Sequence, residues 1–295
     1  MAETTGERGR DPSSDPSGFL LIDKPAGITS HDAVDAIRRA LGTRKVGHAG
    51  TLDPLATGLL LMGVGRATRL LRFLGDLAKV YEGAGLLGIE TTTLDAEGDE
   101  VRRSPVVRVD EEALNAALSG FVGDIEQVPP AYSAVKVGGR KLYEAARRGQ
   151  EVEAPRRNVH VDAFELLRFE SPRFEFGVRC SAGTYVRSLV ADVGRVLGCG
   201  AHVVALRRTA IGPYRVEDAS PPEAPGPLLP LERAVEHLEA VVLTEGEARA
   251  AAHGTILGPA GIAEPYRVIG PDGHLIGIYS DRGTKAVPEV ILAPA

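Results

Sequence analysis

Gly47-His48-Ala49-Gly50-Thr51-Leu52-Asp53-Pro54-Leu55-Ala56-Thr57-Gly58 is the most informative stretch of this chain. Its glycines and alanines let the backbone bend and come close to a ligand. Pro54 biases Asp53 away from helical angles. One reading is a carboxylate held on a stiff loop. The other is an Asp cap for a helical turn with Pro54 in its first position. Residue types alone leave both open.

The flanks read as alternating strands and helices. Phe19–Ile22 is a short apolar run ended by Lys24-Pro25-Ala26-Gly27, the pattern of a buried strand and turn. Ser30 is a candidate cap for a helix whose Val34, Ile37 and Leu41 share a face and whose stop is Gly42. Residues 44–58 read as a loop, Leu59–Val64 as a buried strand and Ala67–Leu74 as a helix. Extended runs follow at Val80–Ile89, Val159–Phe169, Phe174–Cys180 and His202–Arg208. Helical spacing marks Ala113–Leu118, capped by Asp110, and Tyr185–Leu197. The sum is an α+β protein with a central mixed, mostly antiparallel sheet. Proline-dense Ser220–Pro230 is a linker candidate, and Tyr266–Ile269, Pro271-Asp272-Gly273 and Leu275–Tyr279 signal a hairpin beyond it.

Composition narrows the chemistry. A chain of 295 residues, 43% hydrophobic, can bury a large core. Its two cysteines, Cys180 and Cys199, make neither a disulfide framework nor a zinc pair. Its seven histidines show no metal-ligand spacing, and neither GxxxxGK[ST], GxGxxG nor GxSxG occurs. No cofactor and no metal is expected. With no apolar leader and no apolar run of spanning length, a cytoplasmic protein away from membranes is expected. A net charge of −6 argues mildly against nucleic acid, but phosphate binding needs only a local basic surface. Lys136, Arg140, Lys141, Arg147 and Arg148 against Glu144 offer one, or simply a solvated face.

Three further stretches carry candidate side chains. Ser181-Ala182-Gly183-Thr184-Tyr185-Val186-Arg187 places a ring and a cation at a helix start, or merely a cap with a core Tyr and a surface Arg. In Lys79-Val80-Tyr81, alternation puts Lys79 and Tyr81 on one strand face. Leu206-Arg207-Arg208-Thr209 reads as a phosphate contact or a charged strand end.

Together these stretches resemble the TruB family of tRNA pseudouridine-55 synthases. The resemblance rests on GFLLIDKPAGITSHD, GHAGTLDPLATG, KVYEGAGLLGIETTTLDAEG, PPAYSAVKVGGRKLYEAARRG, CSAGTYVRSLVADVG and AHVVALRRTAIGPY, in family order over most of residues 18–215. It implies a pseudouridine synthase fold flanked by helices over 18–230, with a basic insertion at about 124–157. A small β-rich PUA-like RNA-binding domain over 231–295 is implied as well. Residues 1–17 lie outside the resemblance and read as a disordered tail. It further implies uridine isomerisation at position 55 of the TΨC loop, without cofactor. Asp53 is then the nucleophile, Arg187 its partner, and Tyr81 the ring stacked on the target base. Tyr185 and Leu206 line the base pocket, His48 stands beside the flipped nucleotides, and Lys24 supports the site. The expected partner is the TΨC arm of tRNA, bound by a monomer with no obligatory protein partner. The rival readings are an RNA-binding or tRNA-folding protein, and a pseudouridine synthase for another RNA.

Overall fold

The computed structural model describes residues 16–133, 136–137, 140–141 and 154–292. Most of the basic run from Lys136 to Arg148, and nearly all of the tail, lie outside these residues.

Strands β1 (Gly18–Lys24), β2 (Val46–Ala49), β3 (Thr57–Val64) and β4 (Lys79–Leu87) belong to a nine-stranded sheet. So do β7 (Gly123–Gln127), β10 (Arg157–Glu170), β11 (Arg173–Cys180), β12 (Ala201–Ile211) and β13 (Tyr214–Arg215). Its backbone order is β1-β3-β12-β4-β11-β10-β7. All of its pairings are antiparallel except β3 with β12, where Thr57 and Gly58 lie opposite Arg207 and Arg208. β5 (Ile89–Thr91) pairs with β6 (Glu100–Arg103), and β8 (Lys136–Val137) with β9 (Arg140–Lys141). A second sheet, β14 (Ala240–Val242), β15 (Tyr266–Ile269), β16 (Leu275–Arg282) and β17 (Lys285–Ile291), follows in that order. The expected mixed, mostly antiparallel sheet is therefore present.

Among the described residues the α-helices are α1 (Ser30–Leu41), α2 (Glu111–Ser119), α3 (Val186–Val196) and α4 (Glu245–Ala252). Helix α1 buries Ala33, Val34 and Ile37 against β1 and β3. Helices α2 and α3 close the main core over Phe164, Phe174, Phe176 and Val178. No helix among the described residues is long and apolar enough to cross a membrane.

Several local expectations are corrected. Ser30 does not cap α1. Thr29 does, in a reciprocal box with Asp32, because its side chain reaches the Asp32 amide. The stretch 44–58 is not all loop, since β2 pairs with β3 inside it. Residues 65–74 form two 3₁₀ turns, Gly65–Arg69 and Leu71–Leu74, instead of one helix. Ser220–Pro230 is not a free linker. Its two ends bond to the edge strand β1, through Ser220 to Leu21 and Asp23 and through Leu229 to Phe19, at 2.9–3.1 Å. That covers an edge which would otherwise expose unpaired backbone groups.

Candidate active site

The loop from Gly50 to Ala56 is held from three directions. From β1, Lys24 is fully buried and gives its ammonium to the carbonyls of Pro25 (2.9 Å), Ile28 (2.8 Å) and Pro54 (3.3 Å). From α1, the Ser30 hydroxyl accepts from the Leu52 amide (2.9 Å) and donates to the Leu52 carbonyl (3.1 Å). From β12, Arg208 donates to the carbonyls of Leu59 (2.7 Å), Gly50 (3.1 Å) and Thr51 (3.4 Å). Gly58 permits this approach. Its φ is +102°, and a Cβ there would lie 2.3 Å from the Arg208 carbonyl oxygen. No helix follows Asp53. Its carbonyl accepts from the Ala56 amide (3.1 Å), so Asp53-Pro54-Leu55-Ala56 is a tight turn feeding β3, with Pro54 in the position whose φ proline sets in advance.

Asp53 opens onto a cavity of about 280 Å³. Its lining includes Tyr81, Tyr185, Arg187 and Leu206 together with Lys79 and Arg208. The Arg187 Nε donates to the Asp53 carboxylate at 2.9 Å. The same guanidinium meets the Asp95 carboxylate at 3.3 Å and donates to the carbonyls of Thr93 (2.7 Å) and Tyr132 (3.0 Å). Arg187 is thus almost wholly enclosed, while 41% of the Asp53 side chain remains accessible from the cavity. Burial pushes the Asp53 carboxyl above its ordinary range. Arg187 is the main opposing influence, and the Asp95 charge adds to the upward shift.

The aromatic walls differ. Tyr81 is buried on β4, and burial raises its phenol while the neighbouring Arg208 cation pulls it back. Tyr185 stands at the start of α3. Its backbone amide donates to the Gln127 side chain (2.8 Å) and its carbonyl accepts from the same amide group (3.0 Å). The Arg157 guanidinium lies over its ring at 5.5 Å.

Asp53, Tyr81, Tyr185, Arg187 and Leu206 therefore share one pocket. Lys24 and His48 are not among its lining residues. Lys24 braces the loop from behind, with its pKa lowered chiefly by burial. His48 sits on β2, and its imidazole is biased toward the neutral form, first by burial and then by Arg208. Asp95 and Gln127 were not candidates from sequence. Asp95 has no local signal. Arg208 is neither a free phosphate contact nor a solvated strand end but a buried clamp on the Asp53 loop. A larger cavity of about 630 Å³ has Glu82, Glu97 and Glu175 against Arg173 and Arg207 in its lining. That balance is unsuited to phosphate.

Comparison with known proteins gives the family of the chain. Residues 38–186 match the TruB family pseudouridylate synthase N-terminal domain, 187–221 the tRNA pseudouridylate synthase B C-terminal domain, and 238–293 the tRNA pseudouridine synthase II C-terminal domain. By fold and site the molecule is a pseudouridine synthase. Within that class, the chain belongs to the TruB family. The tRNA pseudouridine synthase B of Thermobifida fusca is 46% identical over 288 residues, which is 94% of this chain and 98% of that one. The Leifsonia xyli protein of the same name is 46% identical over 92% of this chain and 94% of its own. Among solved structures, an H/ACA RNP bound to a substrate RNA containing 2′-deoxyuridine superimposes with a TM-score of 0.71 at 25% identity, covering 99% of this chain and 92% of that one. A Cbf5-Nop10-Gar1 complex gives 0.71 at 28% identity, covering 99% and 90%.

Proposed function

We propose that this enzyme isomerises uridine to pseudouridine at position 55 in the TΨC loop of tRNA, with Asp53 as nucleophile and no cofactor. Uridylate isomerisation on tRNA is the activity in the names of relatives matched along nearly their whole length. The observation that carries the mechanism is the Asp53–Arg187 pair, 2.9 Å apart, at a cavity walled by two tyrosines and a leucine.

The reaction breaks N1–C1′, turns the base, and joins C5 to C1′. Atoms in and atoms out are the same, so no redox partner or group donor is needed. A carboxylate can form a covalent bond and leave again. Burial disfavours the Asp53 anion, and Arg187 opposes that shift and holds the carboxyl toward its reactive form. Tyr81 stacks on the uracil. Tyr185 and Leu206 complete the pocket, while Lys24 keeps the loop in place. His48, neutral and outside the pocket, stacks on neighbouring flipped nucleotides.

A uridine stacked inside the tRNA loop cannot reach Asp53. The base is turned out, at a cost of a few kcal/mol. The insertion at about 124–157 and the PUA-like region over 231–295 offset that cost through contacts to the RNA backbone and shape. The enzyme works as a cytoplasmic monomer.

The test is Asp53→Asn with tRNA carrying 5-tritiated uridine. Tritium release should vanish while tRNA binding stays within about threefold of wild type. Turnover by the variant would remove the nucleophile from this account.

A further inference from the structure

We infer that Lys79 and Arg208 act as a charge-stabilising pair in the pocket wall, holding the negative charge that appears on the uracil ring while it is loosened from the sugar. This rests on the pseudouridine synthase reading above and gives two cations a part in the chemistry itself, beyond the loop contacts already described for Arg208.

Among the described residues three cations line the cavity: Lys79, Arg187 and Arg208. Arg187 is bracketed by the Asp53 and Asp95 carboxylates. Next along β12, Arg207 is matched to Asp23 at 2.8 Å. Among the described residues, Lys79 and Arg208 have no such partner within ion-pair distance, yet they are only 7% and 1% exposed. Arg208 is fixed by the carbonyls of Gly50, Thr51 and Leu59. Lys79 donates to the carbonyls of Gly75 (2.6 Å) and Leu77 (2.7 Å), which leaves one ammonium hydrogen uncommitted. The two stand on adjacent strands either side of Tyr81. Tyr81 lies opposite Arg208 in the β4–β12 ladder and two residues beyond Lys79 on the same strand face.

Buried like charges without counter-ions are costly, and folds seldom keep them without a compensating anion. Here the anion arrives with the reaction, by whichever route Asp53 acts. If the carboxylate adds to C6, the electron pair moves through C5 and C4 onto O4. If it attacks C1′, the N1–C1′ pair leaves on the ring and spreads over N1, O2 and O4. If it removes the 2′ proton, C1′=C2′ forms and the same pair leaves on the ring. In the C6 route N1–C1′ breaks next, and each route then ends when C5 bonds to C1′ as Asp53 leaves C6 or C1′, or returns its proton to C2′, while the C5 proton departs and N1 gains one. In all three the ring is anionic between the first step and the last. Fixed cations in a water-poor site stabilise such a charge without reorganising. A backbone phosphate, by contrast, would bring its charge already in the bound ground state.

Burial, with Arg208 next in importance, pushes the Lys79 ammonium down to about 8, against the opposing influence of Cys180 on β11 and Asp76 in the preceding turn. Tyr81 on this wall and Cys180, opposite Lys79 on β11, are shifted upward, Cys180 to about 11. Lys79 is therefore the first wall cation to be lost on the alkaline side.

The test is single-turnover pseudouridine formation on saturating tRNA transcript as a function of pH. Wild type must first form product, and a failure there counts against the parent reading. Given product, the wild-type rate should fall as the pH rises past about 8. Lys79→Met should be slower by about 10²-fold, with tRNA affinity unchanged and the fall near that pH gone. Lys79→Arg should recover most of the rate and move the fall to higher pH. The inference is overturned by a wild-type profile flat between about pH 7 and 9. It is equally overturned by a Lys79→Met rate within about threefold of wild type, or by a loss in tRNA affinity with the chemical rate intact.

Discussion

Asp53 carries a conflict that its neighbours only partly resolve. Its carboxyl is pushed up by burial and by Asp95, and Arg187 does not fully restore it. A carboxylate whose folded-state pKa lies above its unfolded value binds its proton more tightly when folded. Ionisation above the folded pKa then weakens the fold, and this penalty is absent below the unfolded pKa. Asp53→Asn removes the penalty. Its melting temperature at pH 7 should exceed that of wild type by roughly 1–3 °C, and the gain should disappear toward pH 4. Paired thermal melts at the two pH values check this. An equal or lower melting temperature at neutral pH would mean that Arg187 stabilises the carboxylate more than burial harms it. The same shift sets the acidic limb of activity, since only the carboxylate is nucleophilic. Turnover should rise with pH through a midpoint above the usual aspartate range.

At the scale of elements, the catalytic loop is a turn fastened to its surroundings by side chains. Ser30 sits in the first turn of α1, yet its hydroxyl serves both backbone groups of Leu52. Ser30→Ala leaves a buried amide and a buried carbonyl without that partner, which should cost about 1–3 kcal/mol. It also frees the residue next to the nucleophile. Urea denaturation should show the stability loss, and single-turnover kinetics should show a several-fold slower step with tRNA affinity preserved. A stability loss with no kinetic change would make Ser30 a purely structural tie. The sequence pattern marked this region well at its apolar faces and poorly at its polar ties. Val34 and Ile37 were readable because helical periodicity reports burial. Ser30 was misread because any serine before a helix looks like a cap, and only the fold shows that Thr29 holds the cap and Ser30 faces Leu52.

Across the whole molecule, the two sheets share a core. Leu275, Ile278, Val290 and Leu292 pack in one cluster with Phe19, Leu59, Leu61 and Tyr214. Three arginines spaced three apart fasten the join. Arg66 donates to the Leu292 carbonyl (2.8 Å), Arg69 to Ile291 (2.6 Å) and Arg72 to Glu289 (3.1 Å), with a further Arg72–Glu289 ion pair at 2.7 Å. Exposed ion pairs contribute little singly, but bonds from charged donors to strand carbonyls each contribute about 1.5–3 kcal/mol less solvent competition. Replacing all three arginines by alanine should split the thermal transition in two and raise KM for tRNA several-fold, leaving the single-turnover rate at saturation unchanged. A single transition with unaltered KM would show that the apolar contact alone orients the second sheet.

The sequence by itself determined the mostly antiparallel sheet and the C-terminal hairpin, and only its resemblance to a known family grouped Asp53, Tyr81, Tyr185, Arg187 and Leu206 as one set. Strand alternation, turn residues and contiguous motifs are local quantities, legible along the chain. The tertiary structure alone decided that Asp95 shares the Arg187 guanidinium, that Gln127 grips the Tyr185 backbone, and that Arg208 faces inward with Lys79 and has no acid opposite among the described residues. Each of these depends on which backbone carbonyl or carboxylate comes near in space from a residue tens of positions away. Electrostatic partners carry no periodicity, so no pattern in the chain announces them.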